Sequence, residues 1–222
     1  MAFVYDTKAQ ATLSNDTTMV LSYTCGVGTK LLVLCIAAAE TDLRTGGSPT
    51  YNDVPMVQAD SERVGSYECT SELWYMLQPP TGAAYNISVP NSARKLLRLQ
   101  AISFTNTVNA LFDQAVGTNT SSATPSLTIN NVPDGAVVVD SLGHGRVSVQ
   151  ESQSHTPVYS NDEGAWVSNA QYTIKSETGN LTFSYTYSLS DDVAYVMASF
   201  KEEAAGISIP VAMHHYKMAG GL

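Results

Sequence analysis

At 222 residues and 44% hydrophobic content, the chain is long enough to bury one generous core. Only 14% of its residues are charged, and 20 acids against 11 Lys and Arg leave a formal net charge of −9, which disfavours a polyanionic partner such as nucleic acid. No run approaches the roughly 20 apolar residues that cross a bilayer, so no membrane partner is expected.

In chain order, residues 1–13 read as an N-terminal arm with short extended pieces at 2–5 and 12–13. The opening Met1-Ala-Phe-Val-Tyr-Asp-Thr-Lys8 lacks the basic-then-apolar order of a secretory signal, so synthesis in a cytoplasm is expected. Residues 19–24 form a strand, Cys25-Gly-Val-Gly28 a turn, and 30–39 a continuous apolar strand. Both faces of that strand are apolar, so it belongs in a sheet covered on both sides, the second cover being a subunit neighbour or a chain arm. A Gly- and Pro-bearing loop follows, then short strands at 51–59 interrupted by Pro55. In the strand at 67–77, Trp74 and Met76 share one face, and Leu73, Tyr75 and Leu77 the other. Strands at 84–89 and 96–105 end the first half.

Residues 106–124 are small and polar and read as a connector, with a turn of helix at 110–114. Strands are then expected at 126–129, 136–142, 146–150, 165–174, 181–189 and 193–200. In the fifth of these, Leu181, Phe183, Tyr185, Tyr187 and Leu189 alternate with Thr and Ser, the pattern of a half-buried strand. No window carries a sustained helical stripe with caps. Thr81-Gly82 recurs as Thr178-Gly179, 97 residues on, and Ser103-Phe104 as Ser199-Phe200, 96 residues on. The expected fold is therefore all-β: a two-sheet antiparallel β-sandwich or jelly roll spanning 14–201, built from two pseudo-repeated halves at about 14–105 and 125–201. The tail 202–222 is too apolar for a disordered tag. It reads as a C-terminal arm, with Ile207, Ile209, Val211, Met213 and Tyr216 as candidate assembly contacts.

Candidate chemistry is sparse. No Gly-x-Ser-x-Gly elbow is present. His144, in Leu-Gly-His-Gly-Arg, reads as a surface turn residue, and the adjacent His214 and His215 point to opposite faces of an extended chain. Glu68 and Glu72 read as solvent-facing strand charges, set too far apart for a glycosidase pair. Asp60 with Glu62, Asn161-Asp162-Glu163 and Asp191-Asp192 read as solvated acids that match no calcium loop. Trp74, Tyr75, Trp166 and Tyr172 suit core packing better than a sugar platform. Arg94, Lys95 and Arg98 read as a solvated strand start or a subunit contact. Cys25, Cys35 and Cys69 are odd in number and lack zinc spacing, and Cys35 reads as a buried free thiol. The sequons at Asn15, Asn86, Asn119 and Asn180 read as accidental in so Ser/Thr-rich a chain. No catalytic residue, metal or cofactor is expected.

Four stretches carry a family resemblance: Lys30-Leu-Leu-Val-Leu34, Tyr51-Asn-Asp-Val-Pro-Met56, Glu72-Leu-Trp-Tyr-Met-Leu-Gln-Pro-Pro-Thr-Gly82 and Ala101-Ile-Ser-Phe104. Together they resemble a β-sandwich domain that recurs in virion structural proteins of tailed bacteriophages and in bacterial surface proteins. That domain has an apolar opening strand, a Tyr-Gly-Gly-like hairpin, a Leu-Trp-Tyr strand closed by Pro-Pro-x-Gly, and an Ala-x-Ser-Phe strand. Asp134-Gly-Ala-Val-Val-Val-Asp140 and Ala194-Tyr-Val-Met-Ala-Ser-Phe200 look like its second half. Asn52-Asp53 replaces the hairpin glycines, and the tail is extra. The family has no catalytic motif to transfer. The resemblance implies a non-enzymatic virion protein, either a capsid decoration or a tail protein, that forms a homo-oligomer and contacts other virion proteins. The alternative it leaves open is a carbohydrate-binding module or adhesin with a glycan partner.

Overall fold

The computed structural model describes residues 3–13, 17–39, 47–64, 69–91, 97–145, 149–161 and 167–204. Among these residues the fold is all-β and every strand pairing is antiparallel. The first half runs β1 (Val4–Leu13), β2 (Thr18–Thr24), β3 (Thr29–Ala39), β4 (Thr50–Tyr51), β5 (Val54–Pro55), β6 (Val57–Arg63), β7 (Cys69–Leu77), β8 (Ala84–Pro90) and β9 (Leu97–Thr105). The second runs β10 (Ala110–Ser122), β11 (Ser126–Val132), β12 (Val137–His144), β13 (Gln150–Gln153), β14 (Thr156–Asn161), β15 (Val167–Ile174), β16 (Gly179–Tyr187) and β17 (Asp191–Glu202).

The expected antiparallel sandwich is present, and its sheets number four. Each half carries an inner and an outer sheet in jelly-roll order. The inner sheets are β1-β9-β3-β7-β6 and β10-β17-β12-β15-β14, and the outer sheets are β2-β8-β4-β5 and β11-β16-β13. The two strand orders correspond, with the hairpin β4-β5 standing where β13 stands. Registers correspond as well: Leu31 pairs with Leu77 and Phe104, and Val137 pairs with Ile174 and Phe200.

The inner sheets pack face to face, so the molecule is a stack of four layers enclosing three cores. This stacking answers what covers the second face of β3. Leu32, Leu34 and Ile36 face the first outer sheet, while Leu31, Val33 and Cys35 meet Val137, Val139, Val196 and Phe200 of the other half. A fully buried Leu or Val contributes about 1.5–3 kcal/mol, so strands buried on both faces read as unbroken apolar runs. Trp74 and Met76 enter the first outer core, and Leu73, Tyr75 and Leu77 the middle core, as their alternation predicts.

Three segments depart from expectation, one of them β14, a strand not expected at 156–161. The connector 106–124, with its turn of helix, is largely β10, which pairs with β17 along its length. Its Thr, Asn and Ser suit an edge strand whose ladder partner comes from residues far away in sequence. The expected arm at 1–13 contributes β1, which pairs with β9. Asn52 and Asp53, the substitutes for hairpin glycines, have φ of 51° and 61° and form the two-residue turn between β4 and β5. Asn and Asp tolerate that left-handed region better than other side chains.

Candidate functional site

Two constellations stand out, the seam between the halves and a buried carboxylate in the second half. The recurring Ser-Phe pair divides its work: the Ser bonds an aspartate within its own half, and the Phe packs across the seam. Strands β1 and β10 each carry a bulge, and an Asp sits at each. Asp6 Oδ2 accepts from Ser103 Oγ at 2.7 Å, Gly26 N at 2.8 Å and Thr29 Oγ1 at 2.9 Å. Asp113 Oδ2 accepts from Ser199 Oγ at 2.9 Å, and its Oδ1 from Lys201 Nζ at 2.7 Å.

The next residue in each pair, Phe104 or Phe200, clasps a tyrosine from the opposite half. Tyr75 lies between Phe112, stacked at 5.3 Å, and Phe200, edge-on at 5.2 Å. Tyr172 lies between Tyr5, stacked at 5.9 Å, and Phe104, edge-on at 5.5 Å. Each arrangement joins two rings of one half to one ring of the other, as in an isologous dimer interface. At the centre of the seam small residues bring the sheets close. Ser71 Oγ donates to Ser141 Oγ at 2.8 Å, Cys35 Sγ–H donates to the Asp140 carbonyl at 3.2 Å, and a Cβ on Gly143 would lie 3.0 Å from the Thr70 carbonyl oxygen. Near one edge, Lys8 Nζ donates to the carbonyls of Pro157 and Val158 and lies over the Tyr159 ring.

Asp140 is the second constellation. It sits mid-strand in β12 and is fully buried in the second outer core. Its Oδ1 accepts from Gln171 N at 2.6 Å and Tyr185 Oη at 3.0 Å; its Oδ2 accepts from Tyr195 Oη at 2.8 Å and Gln171 Nε2 at 3.1 Å. Burial pushes its pKa up to about 7, against the pull of these four hydrogen bonds. Asp140 pairs with Met197 on β17, and the corresponding position in the first half is Leu34, which pairs with Ala101 on β9. The carboxyl has no access to solvent, so it can hold or release a proton but cannot meet a substrate. Read from sequence, Asp140 falls inside the strand expected at 136–142 and has no role of its own. The available signal was an acid at a register position that the other half gives to Leu.

The sequence candidates fall elsewhere. Ile207, Ile209, Val211, Met213 and Tyr216 lie outside the described residues, as do His214, His215, Glu68, Asp162, Glu163, Trp166, Arg94 and Lys95. His144 is not a surface residue: it ends β12 fully buried, its ring 4.6 Å from that of Tyr187. Glu72 is also buried rather than solvent-facing, and its Oε2 accepts from Trp74 Nε1 at 2.7 Å. The strand's inner position and the indole donor make that burial tolerable. Arg98 is buried because β9 is flanked by β1 and β3 and covered on both faces. Asp191 is buried too, its Oδ1 accepting from Asp192 N at 2.8 Å. All three thiols are buried, and Cys35 is as expected a core thiol. Among the described residues no group of three or more His, Cys, Asp or Glu is placed to hold a metal ion. No described helix is long and apolar enough to cross a membrane. No protein-family model matches the chain, and no curated protein matches it.

Proposed function

We propose that this chain is a non-enzymatic structural protein of a tailed-virus virion, a capsid decoration or tail-associated subunit that acts through protein–protein contacts. The observation that carries this reading is the seam. Enzymes and ligand-binding modules commonly place their sites between domains. Here the space between the two sandwiches is filled by Tyr75, Phe112, Phe200, Tyr172, Tyr5 and Phe104. Such a block suits load-bearing or display more than a reaction. We read the matched strand orders as one sandwich unit used twice in a single chain. The virion setting comes from the sequence resemblance. The adhesin alternative has less support, because Trp74 is buried and Tyr75 and Tyr172 have their faces against other rings.

In this reading the tail 202–222, with Ile207, Ile209, Val211, Met213 and Tyr216, supplies contacts to a second copy or to other virion proteins. Size-exclusion chromatography with light scattering on the full chain and on a chain ending at Glu203 tests the proposal. A defined homo-oligomer that the truncation dissolves supports it. A monomer in both forms, with saturable glycan binding, replaces it with the adhesin reading.

A further inference from the structure

We propose that the free edge of β2 accepts the tail of a second copy of this chain, with Ile207, Ile209 and Val211 adding an antiparallel strand to the first outer sheet.

An edge strand offers unpaired backbone donors and acceptors, and folded proteins blunt such edges with bulges, prolines, charges or short length. Every sheet edge but one among the described residues is blunted in this way. Strands β1, β6, β10, β11, β13 and β14 each carry a break in register, and β5 is two residues long and ends in Pro55. Strand β2 is the exception. It runs beside β8 without a break, from Thr18 opposite Pro90 to Thr24 opposite Ala84, and its residues include no charge and no proline. No described strand pairs with its other side. Strand β11, which takes its place in the second half, is bulged between Ile129 and Val132, so the open edge is particular to the first half.

The tail has the pattern this edge needs. Met19, Leu21 and Tyr23 point into the first outer core, and Thr18, Val20, Ser22 and Thr24 are exposed. Ala9 and Ala11 of β1 pack on the same core and stay part-exposed, so the rim beside β2 is lined by small side chains. In Ile207-Ser-Ile-Pro-Val-Ala212 the larger apolar residues alternate with Ser208, Pro210 and Ala212. An added strand would set Ile207, Ile209 and Val211 in line with the buried side chains of β2. Residues of an antiparallel strand bond alternately to its two sides. With Ile207, Ile209 and Val211 bonded to β2, Pro210 faces solvent, where an edge strand tolerates a residue without an N–H. Neither β2 nor 204–213 carries a charge, so a chain of net charge −9 meets no like charge along this contact.

Reach selects the second copy. Strand β17 ends at Glu202 in the inner sheet of the second half, two layers from β2, or about 20 Å at about 10 Å per layer. It faces β7, whereas β2 lies against β1, three strands away in the sheet and about 14 Å across. Five residue steps from Glu202 to Ile207 span at most about 18 Å. The tail of the same copy therefore falls short of its own β2.

This inference rests on the reading that the tail contacts a second copy. Light scattering and hydrogen exchange test it on the full chain and on the full chain carrying Ile207→Asp and Ile209→Asp, both beyond the last described strand. The expected result is an oligomer that the substitutions dissolve. Protection of the slow β2 amides should fall with it by about tenfold or more, while Thr128 and Ile129 of β11 hold theirs. A tail-dependent oligomer with unchanged β2 protection overturns the strand addition and leaves the tail reading standing. An oligomer that survives the substitutions overturns both. In a wild-type monomer, tail-dependent protection of β2 would put the tail on its own copy and overturn the second-copy partner; without that protection both ideas fail.

Discussion

Tyr75 lies face to face with Phe112, with ring centroids 5.3 Å apart and planes 6° from parallel, and the two residues belong to different halves of the chain. Tyr172 stands in the same relation to Tyr5 at the other side of the seam. A double-mutant cycle on Tyr75→Leu and Phe112→Leu should return a coupling of about 0.5–1.5 kcal/mol in urea melts. A coupling indistinguishable from zero would mean that the rings touch without holding the halves together. Phe200→Ala, which empties a fully buried site, should cost about 3–5 kcal/mol.

Two glycines on the seam should respond differently to Ala. At Gly143 the added Cβ meets the Thr70 backbone carbonyl at 3.0 Å, and a sheet backbone cannot easily withdraw. At Gly117 the nearest atoms belong to the Glu62 and Asp60 side chains, which are part-exposed and can swing away. Gly143→Ala should therefore lose about 1–3 kcal/mol by overpacking, while Gly117→Ala should lose less. Thermal melts of the two variants side by side check the order.

The strands buried on both faces were legible in the sequence, from the nearly unbroken apolar run of β3 and the Val137-Val-Val139 run that opens β12. The recurring Thr-Gly and Ser-Phe pairs were legible as a pattern, but their use was not. Ser103 and Ser199 bond aspartates nearly a hundred residues away, and Phe104 and Phe200 pack on tyrosines of the opposite half. Strand β10 read as a linker because Thr118-Asn-Thr-Ser-Ser122 has no apolar alternation and gains its ladder from β17. Strand β14 was missed for a related reason: it is short, carries Pro157 and lies at a sheet edge. His144 and Glu72 read as exposed because sequence alone does not reveal a four-layer stack.

The bulge aspartate of the second half makes a prediction about acid. Burial raises the Asp113 pKa, but the hydrogen bonds from Lys201 and Ser199 and the Lys201 charge outweigh it, leaving the value lowered. Its contribution is then present above the unfolded value near 4 and lost as pH falls through the folded value. Because Lys201 is 43% exposed, solvent screens the pair. Asp113→Asn should cost about 1 kcal/mol or less near neutrality, and the cost should shrink as the pH falls below about 4, read from urea midpoints at each pH.

The thiols should be silent in the native chain. Burial pushes Cys35 well up and Cys25 up to about 11, and the thiolate is the reactive form. A disulfide reagent at about pH 8 should modify Cys25 and Cys35 only on unfolding. Rapid native labelling of Cys35 would mean that the seam opens.

The central claim is that the two sandwiches form one block through their inner sheets. Native-state hydrogen exchange of the full chain at about pH 6 tests this most directly. The account predicts that the amides of β3 and β12 open together, with one shared free energy and one shared dependence on denaturant. Inner-sheet amides of one half that exchange by a separate, lower-energy opening while the other half stays protected would contradict it.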